Sequence, residues 1–262
     1  MLPPAFQFRG VTQRFRDGAR QVVACRDINL DIEAGSFVAI VGPSGCGKST
    51  LLNMVAGLLT PSAGEVLSDG QPVARPNTSI GYLTQRDTLL PWRTIEDNVA
   101  ISLELAGMRK TERIERARRL LATVGLTGFE QSYPSQLSGG MRRRAILART
   151  LIYEPKAMAM DEPFGALDAQ LRMVMHQVLL EIWERQRTTI LFVTHDIGEA
   201  VTLADRVVVF SARPGTVKAV IDIDLPRPRD VYRLRFLPRF VELQEQVWLQ
   251  LEAGMRPAEA EA

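Results

Sequence analysis

Cysteine is scarce in this 262-residue chain: Cys25 and Cys46 are the only two, and no CxxC pair exists. That excludes a disulfide framework and a cysteine-built zinc site, and it predicts a reduced, cytoplasmic setting. Long apolar runs are also missing. The longest, such as LLNMVAGLL over 51–59, are far too short to cross a bilayer. The opening MLPPAFQFRG has no basic start, apolar stretch and small-residue cleavage site, so no secretion signal is expected. Nor does one sign of charge prevail. The formal net charge is +2, which gives no general affinity for nucleic acid or lipid surfaces, and no nucleic-acid partner is expected. No internal repeat is visible.

What is present suits one large domain with an inserted subdomain: 46% of the residues are hydrophobic. Short β-branched runs recur at 37–41 (FVAIV), 79–83 (SIGYL), 189–194 (TILFVT) and 206–210 (RVVVF). The first, third and fourth are almost continuously apolar, as in strands of a parallel sheet covered on both faces. A long helical region lies between the second and third. Thr94 with Asp97 predicts a capping box for a helix carrying Ile95, Val99 and Leu103. A second helix, about 111–124, places Ile114, Ala117, Leu121 and Val124 on one face. The expected organisation is an α/β core interrupted by a helical insert at roughly 86–156. After PRPRD at 226–230 comes a tail, amphipathic at first and ending in EAEA.

The most specific motif is GPSGCGKST at 42–50, which matches G-x-x-x-x-G-K-[ST] at every fixed position. A strand-like run precedes it and a helical run follows. Glycines let successive backbone N–H groups turn inward on phosphates, and the following helix presents its positive end. Gly42, Pro43, Ser44, Gly45, Cys46, Gly47, Lys48, Ser49 and Thr50 are therefore the expected ATP cradle. Lys48 is to reach the β- and γ-phosphates and the Ser49 hydroxyl a Mg²⁺ ion. A second motif, AMAMDEP at 157–163, is an apolar run ending in Asp161 and Glu162. At a strand end, Asp161 can hold Mg²⁺ through water, and Glu162 can polarise the attacking water.

Phosphate loop, helical insert, LSGG at 137–140, then an apolar strand ending in DE: that order resembles the ATP-binding cassette family. The resemblance covers about residues 6–225. It implies an α/β fold: a P-loop NTPase core with an inserted helical subdomain and a small β-rich N-terminal part. The ATPase domain would span 1–225 and a C-terminal helical tail 226–262. Gln85 matches the family's Q-loop glutamine, which implies a catalytic and Mg²⁺-binding role. Asp168 matches the D-loop, His195 the switch histidine, and Phe15 the aromatic residue set against adenine. In this family Ser138, Gly139 and Gly140 face the phosphates of ATP held by a second subunit. Met141 stands where the wider family has glutamine. Arg142, Arg143 and Arg144 are assigned to the helix exterior and its neighbours rather than to nucleotide.

One cassette without membrane spans resembles the separate ATPase subunit of an importer. LLPWRTIEDNV after Gln85, LSGGMRRR, and RPGTVKAVIDIDLPRPRD near the end resemble the nitrate/sulfonate/taurine importer group. Arg143 departs from that group's usual MRQR. The resemblance implies a second ATPase subunit and transmembrane permease subunits as partners, with a periplasmic or surface solute-binding protein acting indirectly. The protein would sit peripherally on the cytoplasmic face of the inner membrane. Leu90 and Trp92 are expected to be exposed where the permease docks. The competing class, soluble cassettes of DNA repair or the ribosome, usually carries a very long coiled coil or two cassettes in one chain. A small-molecule kinase is excluded by LSGG and His195.

Overall fold

The computed structural model describes residues 3–18 and 20–255. In chain order the strands and α-helices begin with β1 (Phe6–Asp17), β2 (Arg20–Ile32), β3 (Phe37–Val41), α1 (Lys48–Val55), β4 (Ala63–Ser68), β5 (Gln71–Pro72) and β6 (Ile80–Leu83). Helices then take over with α2 (Ile95–Val99), α3 (Ile101–Leu105), α4 (Lys110–Thr123) and α5 (Gly139–Leu151). The chain returns to alternation with β7 (Ala157–Asp161), α6 (Ala169–Gln186), β8 (Thr189–Val193), α7 (Ile197–Leu203), β9 (Arg206–Phe210) and β10 (Val217–Asp222). It closes with α8 (Val231–Leu234) and α9 (Pro238–Met255).

These strands form two sheets. One is antiparallel, in the order β2-β1-β4-β5, and the other runs β10-β9-β3-β8-β7-β6. In the second, β9, β3, β8, β7 and β6 are parallel, and only β10 is antiparallel. Every residue of β3, β7 and β8 is buried, which is why those runs carry no polar alternation. Their side chains divide by parity. Phe37, Ala39 and Val41 pack with Trp183, Phe192 and Leu179, while Val38 and Ile40 pack with Phe6, Phe8, Leu51 and Leu52. The antiparallel sheet and α1 thus cover one face, and the remaining helices the other.

The regular elements between β6 and β7 are all helices, and Ala117, Leu121 and Val124 are buried with Ile114 packed beside them. Thr94 caps α2, its hydroxyl accepting from the Asp97 amide at 3.3 Å. The helix that cap opens is broken at Ala100 into α2 and α3, although Ile95, Val99 and Leu103 are all buried. The tail differs more. Phe240, Leu243, Val247 and Leu251 of α9 belong to the same buried cluster as Val207 and Val209 of β9. Their spacing is one helical stripe, and α9 closes the core beside β9 rather than standing apart from it. The EAEA end lies outside the described residues.

Leu243→Ala should therefore destabilise the whole protein by about 2–5 kcal/mol, the usual effect of truncating a fully buried leucine. Urea unfolding followed by circular dichroism checks this. A change below about 1 kcal/mol would separate α9 from the core.

Candidate active site

Parallel strands deliver their following loops to one edge of the sheet, where ligands of such folds bind. Here that edge receives 42–50 from β3, Gln85 from β6, Asp161 and Glu162 from β7, and His195 from β8.

The phosphate loop is shaped by contact as well as by glycine freedom. Gly47, which precedes α1, has φ 97° and no side-chain cap follows it, so the first-turn amides of α1 carry no side-chain acceptor from it. A Cβ on Gly42 would come within 2.8 Å of the Phe210 Cβ, and one on Gly215 within 1.9 Å of the Cys46 carbonyl oxygen. Gly215 also donates its amide to Ala24 O at 2.9 Å. The loop is therefore wedged between the β1–β2 hairpin and the segment after β9. Lys48 is buried and its Nζ donates to Gly42 O (2.7 Å) and Pro43 O (2.9 Å). A cation is thus held against the carbonyls at the start of the loop. Arg213 adds another at the rim, donating from Nε to Gly45 O at 3.1 Å.

Beside the loop, burial raises Asp161 above the usual carboxylate range, and the nearby Ser49 hydroxyl opposes that rise. One hydroxyl and one carboxylate beside a phosphate cradle is the sparse protein ligand set that Mg²⁺ takes when phosphates and water complete its shell. Among the described residues, no three His, Cys, Asp or Glu side chains form a fuller metal cage.

Glu162 lies between His195 and Gln85. Its Oε1 lies 3.2 Å from His195 Nδ1, and its Oε2 accepts from Gln85 Nε2 at 3.4 Å. Its own backbone is left-handed, φ 46°, and its amide donates to Val193 O at 2.9 Å. A carboxylate that is one-quarter exposed and held from both sides can accept a proton from water. Gln85, Glu162 and His195 line a cavity of about 360 Å³ that Gly139, Gly165 and Ala166 also line.

The other expected residues have local partners. Ser138 caps α5, accepting from Met141 N at 3.3 Å, which leaves its own O–H free to donate. A Cβ on Gly139 would meet nothing within 4 Å. Asp168 caps α6 by accepting from Gln170 N (3.1 Å) and Leu171 N (2.9 Å). Phe15 is 41% exposed on β1, opposite Val22, on the hairpin whose Ala24 and Cys25 press against Gly47.

Two sequence expectations are corrected. Leu90 is half-buried, with its amide donating to Asn98 Oδ1 at 2.7 Å, so Trp92 alone of the pair is fully exposed, at 71%. Arg143 is not on the helix exterior but buried. Its guanidinium donates to the carbonyls of Thr84, Gln85, Asp161, Glu162 and Pro163. The signal was present in the sequence, because Arg143 shares a helical stripe with Ile146, Leu147 and Thr150. Arg142 and Arg144 are braces as expected, Arg142 to Asp87 (2.7 Å) and Arg144 to Val124 O (2.8 Å).

A family model described as ABC transporter matches residues 25–165. An uncharacterized ABC transporter ATP-binding protein of Methanocaldococcus jannaschii is 49% identical over 87% of this chain and 85% of its own length. An aliphatic sulfonates import ATP-binding protein of Bacillus cereus is 42% identical (94% and 95% covered). A nitrate import ATP-binding protein of Synechocystis is 44% identical (92% of each covered). Among solved structures, the dimeric post-hydrolysis state of the ATP-binding cassette MJ0796, bound to ADP and Pi, superposes with a TM-score of 0.77. It is 31% identical and covers 84% of this chain and 100% of that one. Likeness sustained over most of the chain, in sequence and in fold alike, makes this protein a member of the ABC transporter family, an ATP-binding cassette that hydrolyses ATP.

Proposed function

We propose that the protein is the ATPase subunit of an importer, energising uptake of a small solute through a separate permease. The observation that carries this reading is its near full-length similarity to sulfonate and nitrate import ATP-binding proteins. A nitrate-, sulfonate- or taurine-like anion is the proposed cargo, delivered by a solute-binding protein. Trp92, 71% exposed in the loop after Gln85, is the proposed anchor for the permease. No helix among the described residues is long and apolar enough to cross a membrane, which accords with a peripheral place on the cytoplasmic face. Residues 1–225 form the proposed ATPase unit, with α9 sealing its core.

At the proposed site, residues 42–50 hold the phosphates, Lys48 neutralises the β/γ charge, and Phe15 stacks on adenine. Ser49, Asp161 and Gln85 would hold Mg²⁺, which would supply charge neutralisation along the phosphates. Glu162 takes the proton from the attacking water. His195 and Gln85 hold that carboxylate in place. Ser138, Gly139 and Gly140 of a second chain close the site, with Asp168 alongside. Two features support a shared site: the free Ser138 O–H, and the open space over Gly139, which lets backbone approach a phosphate. The dimeric state of the MJ0796 cassette is consistent with it.

Co-purification with the neighbouring permease, followed by ATPase assays with candidate solutes and their binding protein, tests the importer reading. Solute-stimulated hydrolysis is expected, and an ATPase indifferent to permease and solute contradicts it. Trp92→Ala should leave ATP binding and folding unchanged while reducing recovery with the permease. Undiminished recovery rejects the anchor.

Lys48→Ala should abolish ATP binding, since it removes the buried cation at the loop. A fluorescent-nucleotide titration unchanged in the variant rejects the phosphate cradle. Glu162→Gln should keep ATP binding and lower turnover by roughly 10²–10⁴-fold, the range for loss of a general base. Near-normal turnover moves the base to His195. The same variant should dimerise with ATP on size-exclusion chromatography. Adding Ser138→Arg should prevent that dimer while monomer binding persists, and a double mutant that still dimerises rules out the shared site.

A further inference from the structure

Where β6 and β7 end side by side, with Leu83 paired to Met160, five backbone carbonyls of the strand ends and the loops after them share one partner. One side chain from a third element meets all five. Arg143, on the second turn of α5, donates from Nη1 to Thr84 O (2.6 Å) and Gln85 O (3.2 Å). Its Nη2 donates to Asp161 O (3.0 Å) and Glu162 O (3.1 Å), and its Nε to Pro163 O (3.1 Å). A planar guanidinium with five donors in a fixed fork can fill this cluster. Lysine has three donors without the fork, and glutamine has two.

Three further observations give that clamp functional meaning. Two of the five bonded carbonyls belong to Gln85 and Glu162 themselves, whose side chains meet at 3.4 Å. Glu162 holds a left-handed backbone, φ 46°, a conformation that persists in a non-glycine residue only when its surroundings hold it. The helix bearing Arg143 also begins at Ser138, and its neighbours hold the same loop. Arg142 pairs with Asp87 (2.7 Å), and Arg149 donates to Thr88 O (2.7 Å) and to the Thr88 hydroxyl.

We propose that Arg143 is a positioning residue for ATP hydrolysis: it fixes the spacing of Gln85 and Glu162 and makes both move with the helix headed by Ser138. It touches neither the nucleotide nor the attacking water in this role. The proposal rests on the assignment of Glu162 as base. By that linkage, displacement of the 84–92 loop by a partner reaches Glu162 through one guanidinium.

The test compares Arg143→Met and Arg143→Lys with wild type, measuring kcat, ATP affinity and melting temperature on the purified full chain. Both variants should bind ATP within about twofold of wild type, because the 42–50 loop is untouched. Their kcat should fall roughly 10- to 100-fold, the scale of effect from misplacing a catalytic group by about an ångström. A kcat within twofold of wild type in a folded Arg143→Met protein overturns the proposal. So does a parallel loss of affinity and kcat, or failure of both variants to fold, since each makes Arg143 a plain structural brace. Glu162→Gln run alongside separates the two readings: normal turnover there removes the base assignment, while the Arg143 split is judged on its own numbers.

Discussion

Met160 of β7 pairs with Leu83 of β6 on one side and Phe192 of β8 on the other, and Val193 lies beside Asp161. β3 continues the same parallel register through Ile40 and Val193. That shared direction fixes the site, because each of these strands releases its chain at the same edge. Residues far apart in sequence, near 45, 85, 162 and 195, become neighbours without any long-range instruction beyond strand pairing. Burial of β3, β7 and β8 on both faces makes that pairing rigid. A one-residue slip in any of them would turn the following loop to the wrong height.

Diverging strand ends and helix C-termini leave carbonyls without partners, and in this chain arginine meets them repeatedly. An unmet buried carbonyl costs about 1–3 kcal/mol, so such staples matter locally. Arg143 does this at the strand ends. Arg229 does it behind α7, donating to the carbonyls of Thr202 and Ala204, with burial lowering its pKa to about 10. Arg227 joins it, pairing with Asp205 at 2.7 Å and lying over the Trp183 ring. These cations are bound to backbone carbonyls and to the half-buried Asp205 rather than displayed. A net charge of +2 therefore hides a set of arginines whose work is internal. Their number near 137–149 reflects the loops that α5 must hold.

The sequence showed most plainly what depends on local spacing. The phosphate loop, with a strand before it and a helix after it, lies where the spacing places it. So do the apolar strands and the stripe of α4. Thr94 caps its helix as its spacing to Asp97 indicates, yet the break at Ala100 has no local signal, because alanine is a strong helix former. The placement of α9 in the core was hidden for a different reason. Its stripe of Phe240, Leu243, Val247 and Leu251 announces an amphipathic helix but not which surface it covers. Leu90 was misplaced because Asn98 reaches back to hold its backbone, a tertiary contact that hydropathy does not record. Arg143 was misplaced because three successive arginines suggest a solvated face, although helical geometry puts the middle one on the apolar side.

The central claim is that this sheet edge forms half of an ATP site and that a second chain supplies the rest. A crystal structure of the hydrolysis-blocked protein with ATP and Mg²⁺ tests it most directly. The account predicts phosphates within hydrogen-bond distance of the 42–50 amides of one chain and of Ser138 and Gly139 of the other. It also predicts Arg143 still bridging the 84–85 and 161–163 carbonyls. ATP held by a single chain with Ser138 facing solvent, or bound away from the loop, would contradict it.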